Sequence, residues 1–356
     1  MTIIAHSYAF VVGVDTHARN HVYAIVDCTT GEHRETRGFP TTSAGIKLAL
    51  TWAGKRTGGD ANTLWVIEGA ACYGAILAGT VSSAGYQVAE APRMSAKARR
   101  GVGKSDPLDA HRIATAVLPL PSHQLCSPRL NEGVRAALQV LLAARESMTG
   151  ERTSTVNALT ALLRTHDLGI DARKALTSAK VTEVAKWRER DEELAIRVAR
   201  AEAVRLAQRS LELDGQLKAN MTHVTDLVAV SEAAPLLDEI GIGPVTAAVA
   251  LTTWSHRGRV RSEAAFASLA GVNPIPASSG NTVRHRLNRG GDRRLNSALH
   301  MVAITRMTHH EETRAYVEKR TRQGKSLREI RRCLKRYLAR MIYRVLNRAT
   351  PSPLAA

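Results

Sequence analysis

Two apolar runs that each end on a carboxylate constrain the first third of this chain. Ala9-Phe10-Val11-Val12-Gly13-Val14-Asp15 and Thr63-Leu64-Trp65-Val66-Ile67-Glu68-Gly69 read as buried strands. The first leads through Thr16-His17-Ala18-Arg19-Asn20 into a second apolar run, His21 to Asp27, which implies a hairpin. Residues 34–39 supply a third strand, and residues 86–89 a short later one. Helices are expected over 42–53, with Ile46, Leu48 and Leu50, and over 73–84, with Ile76, Leu77 and Val81, closed by Gly85. Strands alternating with helices predict a mixed α/β domain.

A further pair of acids follows in Lys104-Ser105-Asp106-Pro107-Leu108-Asp109-Ala110-His111-Arg112. Proline suits the first turn of a helix, so Asp106 is expected as N-cap and Pro107 as the first helical residue. Three apart, Asp106 and Asp109 share a helical face, where they repel each other unless something positive intervenes. Lys104 and Arg112 serve, and a divalent cation serves better. A well-capped surface helix explains this pair taken alone. Asp15, Glu68, Asp106 and Asp109 taken together, at strand ends and a helix start, suit a cleft at the mouth of a sheet. Four oxygen donors match two hard cations such as Mg²⁺, with Mn²⁺ as a substitute. Such ions clamp the attacking and leaving oxygens of a phosphodiester. Gly101-Val102-Gly103-Lys104-Ser105 ends like a phosphate-binding loop. Ala98 stands at the place of its first glycine and no strand runs into it, which excludes ATP binding.

The charge points to the partner. Lys+Arg minus Asp+Glu is 50 − 32 = +18 over 356 residues, an excess that calls for a polyanion, most simply nucleic acid. The chain carries no long apolar run and no lipidation motif, so no membrane association is expected. Cys28, Cys72, Cys126 and Cys333 are scattered, which argues against a zinc site or a disulfide scaffold and fits a reducing cytoplasm. Three Phe and four Trp are too few for an aromatic platform that stacks single strands.

The middle third is helical. Val134, Leu138, Leu141, Met148, Val156, Leu159 and Leu163 form one stripe over 131–165. Leu194, Val198, Val204, Leu211, Leu217, Met221, Val224 and Leu227 form another on a second helix expected over 182–230. Joined near 169–174, the two make an antiparallel hairpin. Its leucine seams either favour a partner chain or pack within the monomer.

In the last third, Pro235-Leu236-Leu237-Asp238-Glu239-Ile240-Gly241-Ile242-Gly243-Pro244 has the pattern of a helix-hairpin-helix. The N–H groups about Gly241 and Gly243 in such a turn meet a phosphate without reading bases; a plain helix–helix corner is the alternative. A loop from Gly271 through Ser278-Ser279-Gly280 leads into a basic stretch with Arg284, His285, Arg286, Arg289, Arg293 and Arg294. A serine beside clustered cations suits phosphoryl transfer through a serine ester, and equally suits backbone binding. The basic loop at Lys97, Arg99, Arg100 and Lys104 reads likewise as nucleic-acid-binding. On the final helix, 327–346, Ile330, Leu334, Tyr337, Met341 and Val345 are expected inside. Arg328, Arg331, Arg332, Lys335 and Arg336 are expected on the outer, basic face.

Asp15-Thr16-His17, Glu68 and Lys104-Ser105-Asp106-Pro107-Leu108-Asp109-Ala110 resemble the catalytic signature of the DEDD transposases of the insertion-sequence group called IS-one-ten. Ala70 and Ala71 follow Gly69 where that family usually shows a small hydroxyl residue. The resemblance runs along nearly the whole chain. It implies an RNase H-like, RuvC-like catalytic domain at 1–125 and a coiled-coil oligomerisation segment at 126–231. A mainly helical transposase domain at 232–350 and a tail at 351–356 complete the expected α/β plus all-α architecture. It implies Asp15, Glu68, Asp106 and Asp109 as Mg²⁺ ligands and Ser279, with Ser278 beside it, as the nucleophile. It further implies double-stranded DNA as substrate, a structured guide (bridge) RNA, a homo-oligomer (dimer or tetramer), and a bacterial cytoplasmic setting at the nucleoid. A RuvC-like junction nuclease using water, and an architectural nucleic-acid-binding protein whose acids are structural, are the rival readings.

Overall fold

The computed structural model describes residues 2–92, 105–130, 132–278, 280 and 285–349. Two compact units divide the chain, Met1–Asn131 with Gly258–Val260, and Glu132–Arg257 with Arg261–Ala356.

The first unit is built on a five-stranded sheet of order β3-β2-β1-β4-β5. Its strands are β1 (Phe10–Asp15), β2 (Asn20–Asp27), β3 (His33–Pro40), β4 (Thr63–Ile67) and β5 (Gln87–Glu90). β1, β2 and β3 are antiparallel neighbours, while β4 and β5 run parallel to β1. A single turn, α1 (Ile4–Ser7), precedes the sheet. The two-residue period of the strands sorts their side chains between two cores. Val12, Val14, Tyr23, Ile25, Trp65 and Ile67 pack with Ile46, Ala49 and Trp52 of α2 (Ser43–Arg56) and with Leu77 and Val81 of α3 (Ala75–Ser83). Val11, Val26, Leu64 and Val66 pack on the opposite face with Ile113, Ala114 and Val117 of α4 (Asp106–Val117). Both faces are covered, which is why β1 and β4 read as unbroken apolar runs. Thr42 caps α2 by accepting a hydrogen bond from the Gly45 N–H.

The second unit is mainly helical. It comprises α5 (Gly133–Thr165), α6 (Ser178–Ala185), α7 (Leu194–Ala229), α8 (Pro244–Trp254), α9 (Glu263–Leu269), α10 (Arg293–His309), α11 (Glu311–Arg322) and α12 (Leu327–Ala349). A two-stranded ribbon, β6 (Ile275–Pro276) with β7 (His285–Arg286), lies between α9 and α10. With the mixed sheet of the first unit, this is the expected class, α/β plus a mainly helical remainder.

Four details depart from the sequence expectation. The helix expected over 182–230 is interrupted between α6 and α7. Arg200, 5% exposed, stacks on the Trp187 ring at 4.9 Å and forks onto Glu192 at 2.7 and 2.5 Å, tying down the interruption. The return lets Val181 and Val184 of α6 pack on Ala199, Ala203 and Ala207 of α7. The buried line of α7 therefore runs along Ala199, Ala203, Ala207, Ser210, Leu213, Asn220, Val224 and Val228. Leu194 and Val198 stay exposed, because close approach of helices selects small residues. α5 and α7 pack antiparallel inside one chain: Asn220 Nδ2 donates to the Leu141 carbonyl at 3.0 Å, and Arg152 pairs with Asp214.

On α12 the buried stripe is Ile330, Leu334, Leu338, Ile342 and Leu346, joined by Lys335. Tyr337 is 54% exposed and meets Tyr316 edge-on. The expected helix-hairpin-helix has a five-residue 3-10 turn, Ala234–Asp238, as its first leg instead of an α-helix.

Candidate active site

Parallel pairing places two of the predicted acids at adjacent strand ends. Val14 lies opposite Ile67, and the Glu68 N–H donates to the Val14 carbonyl at 3.0 Å. Asp15 thus closes β1 while Glu68 begins the turn after β4. Thr16 Oγ1 donates to the Glu68 carbonyl at 2.8 Å and fixes that turn. Gly69, at φ +63°, lets the chain reverse there.

The third acid arrives from α4. Ser105, one residue earlier than expected, is the N-cap, so Asp106 and Pro107 stand inside the first turn. Helix ends are soft by a residue, and Asp106 and Asp109 still share the first turn. Asp106 Oδ2 lies 3.6 Å from His17 Nε2, which lies 3.1 Å from Asp15 Oδ2. One ligand atom from each of Asp15, His17 and Asp106 falls within 4.8 Å of the others. Asp109 turns instead to Arg112, at 3.2 Å. Glu68 is exposed and stands outside the trio. The four predicted acids are therefore only partly gathered: Asp15 and Asp106 meet, and Asp109 and Glu68 flank them. His17 is the group the sequence reading quoted but gave no role. Its signal was the alternation Asp15-Thr16-His17, which returns both side chains to one side of an extended segment.

Burial raises the pKa of Asp15. His17 opposes the rise, and the charges of Asp106 and Asp109 add to it. A cation would favour the charged form of a buried carboxylate pressed by two others, and the donor set here, two carboxylates and an imidazole, fits a divalent one. Oxygen donors suit Mg²⁺; the imidazole admits Mn²⁺.

Lys97, Arg99, Arg100, Lys104, Ser279 and Arg284 lie outside the described residues. In the second unit, Gly241 has φ +85° and packs against Thr305, while Gly243 is the N-cap of α8. Arg306 steadies this turn, donating to the Ile240 carbonyl at 2.8 Å and to Glu239 at 2.6 Å. His285 and Arg286 are exposed on β7, and Arg289 and Arg293 are exposed beyond it. Arg294 is ion-paired with Glu146 of α5, so part of its charge is already matched. Among the described residues, no helix is long and apolar enough to cross a membrane.

Residues 12–166 match the family model of the IS110-type DEDD transposases, described as a transposase. Residues 234–318 match the model described as the transposase IS116/IS110/IS902 family. A relative in Streptomyces coelicolor, named the insertion element IS110 uncharacterized 43.6 kDa protein, is 27% identical over 74% of this chain and 76% of its own length.

Proposed function

The chain belongs to the IS110 family of DEDD transposases, and from that premise we propose that it exchanges the DNA strands of an insertion sequence by a metal-dependent route through a serine ester. The observation that carries the metal half is the meeting of Asp15, His17 and Asp106 at the mouth of the sheet. Asp15, Asp106, Asp109 and Glu68 would hold Mg²⁺, with the His17 imidazole beside Asp15 as a further donor. A divalent cation held by these residues would supply Lewis-acid polarisation of the scissile phosphate. Ser279 Oγ attacks the phosphorus, its proton leaves to solvent or a nearby base, and the 3′- or 5′-oxygen of the broken DNA bond departs. The ester keeps the phosphodiester energy, so strands rejoin without ATP. Arg286 and its neighbours neutralise charge on the phosphate. The family resemblance adds a bridge RNA that pairs with donor and target DNA, and a segmental division of labour over 1–125, 126–231 and 232–350.

The test is a denaturing gel with labelled DNA, followed by peptide mapping of any protein–DNA adduct. Ser279→Ala is expected to bind DNA and form no adduct, and Ser278→Ala to keep part of the activity. An adduct on Ser278 would move the nucleophile by one residue. Normal strand exchange by Ser279→Ala would overturn the serine route in favour of water as nucleophile.

A further inference from the structure

The second unit contains a cavity of about 710 Å³ walled by the loop at Gly271–Pro274, by β7, and by α11 and α12. Its position is tied to the serine loop. β6 and β7 pair Ile275 with Arg286 and Pro276 with His285. Pro276 and His285, which flank the segment 277–284 that carries Ser279, are therefore paired side by side, with His285 in the wall of this cavity.

The cavity floor is built tightly. Gly271, at φ +67°, meets Gly291 so closely that a Cβ on Gly291 would lie 2.3 Å from the Gly271 nitrogen. Asn296 Nδ2 donates to the Ala270 carbonyl at 2.7 Å, and Asn288 Nδ2 to Asn273 Oδ1 at 2.7 Å. Such a floor is set before any ligand arrives.

The lining is cationic. Arg286, Arg320, Lys325, Arg332, Lys335 and Arg336 face one carboxylate, Glu329. Glu329 is already engaged by the Ser326 N–H at 2.9 Å and the Ser326 hydroxyl at 2.8 Å. Among the described residues none of the six cations has a salt-bridge partner. Lys335 is 8% exposed, and the hydrogen bond its ammonium makes is to a neutral group, Asn296 Oδ1, at 2.5 Å. Arg320 Nε is buried with no hydrogen-bond partner among the described residues. A buried ammonium without a counter-charge is costly and burial lowers the Lys335 pKa, a cost that an anion in the cavity would offset. Six cations spread around one concavity suit a run of linked phosphates better than a single small ion.

We propose that this cavity grips the phosphodiester backbone of a nucleic-acid strand that the protein acts on, with Lys335 as its buried anchor and Arg332 and Arg336 in its lining. The identity of that strand rests on the strand-exchange reading above; the grip itself does not.

Fluorescence anisotropy with the full chain tests it, using a labelled DNA duplex and an RNA duplex of the same sequence across a salt series. Lys335→Met, Arg332→Ala and Arg336→Ala are compared with Lys55→Ala, a control on the exposed side of α2. Each cavity variant is expected to weaken binding about tenfold and to lower the slope of log affinity against log salt by about 0.9 per lost DNA phosphate contact, or 0.7 for single strands. A change confined to DNA assigns the cavity to DNA, one confined to RNA assigns it to RNA, and a change in both assigns it to the backbone they share. If Lys335→Met fails to fold, the two arginine variants carry the test. Slopes that match the Lys55→Ala control for both duplexes would overturn the proposal. A wild-type chain that exchanges strands with no adduct on Ser279, with these slopes still changed, would sink the serine route and leave the grip standing.

Discussion

Gly13 of β1 and Ala110 of α4 touch backbone to backbone: a Cβ on Gly13 would lie 2.3 Å from the Ala110 carbonyl oxygen and 2.5 Å from the Ala114 nitrogen. This contact sets the height of α4 over the sheet, and with it the distance from Asp106 to Asp15. Gly13→Ala must push the helix outward. Overpacking of this kind costs about 1–3 kcal/mol, and the displacement falls on the acidic site. The expected result is a lower melting temperature together with loss of strand cleavage, while Gly54→Ala, where a Cβ meets nothing within 4 Å, leaves both unchanged. Wild-type cleavage by a folded Gly13→Ala chain would show that the spacing of α4 and β1 does not govern the site.

Asp106→Asn keeps the shape of the side chain and removes the charge that faces Asp15 and His17. Strand cleavage is expected to vanish, and duplex binding to stay within about threefold, because the cations that meet phosphates lie elsewhere. Chelation of divalent ions should reproduce the loss in the wild type, and added Mn²⁺ should reverse it. Full cleavage by Asp106→Asn at physiological Mg²⁺ would remove this residue from the metal site.

His111, on α4, stacks edge-on with His33 at 5.0 Å, and its Nδ1 is buried with no partner among the described residues. Burial, then the charge of His33, lowers its pKa from the ordinary 6.5. A folded-state value below the unfolded one gives stability that is fully present above the unfolded pKa and is lost as pH falls through the folded pKa. The melting temperature should therefore drop between about pH 7 and about pH 5, and His111→Gln should flatten part of that drop. Parallel wild-type and His111→Gln curves would assign the acid lability to other groups.

The sheet was legible because burial on both faces leaves an unmistakable mark on β1 and β4, unbroken apolar runs that stop at Asp15 and Glu68. The faces of α7 and α12 were misread for a common reason. Helical periodicity gives a stripe, but packing distance chooses which side of it goes inside. On α7 that choice fell on Ala199, Ala203 and Ala207 beside the leucines, and on α12 it drew Lys335 out of a row of charges into a cavity. The interruption before α7 depends on Arg200 reaching Trp187 and Glu192, a tertiary contact that residue propensities do not encode. His17 was visible in the motif, but its distance to Asp106 depends on how α4 packs.

Association should depend on the part of α7 that packing leaves bare. Leu194 is 65% exposed and Val198 53%, at the start of the helix. Val198→Asp should leave the melting temperature within about the 0.5 kcal/mol expected of surface substitutions, and should lower the mass measured by light scattering at micromolar concentration. An unchanged mass would place the self-association surface elsewhere.

The acids and the serine lie in different segments of the chain, Asp15 to Asp109 in the range of the first unit and Ser279 in that of the second. A site shared between two protomers would set the acids of one chain beside the serine of the other. An Asp15→Ala chain lacks a proposed metal ligand and keeps Ser279; a Ser279→Ala chain lacks the proposed nucleophile and keeps its acids. Each alone is expected to be inert, since every site it can build misses one essential group. Mixed, the two can assemble a site with the acids of one chain and the serine of the other, and about a quarter to a half of wild-type adduct should return, depending on how many composite sites an assembly holds. The adduct should map only to the chain that retains Ser279. Tagged chains that co-purify but remain inert would show that each site is completed within a single chain, and the exposed apolar residues of α7 would then serve assembly without serving chemistry.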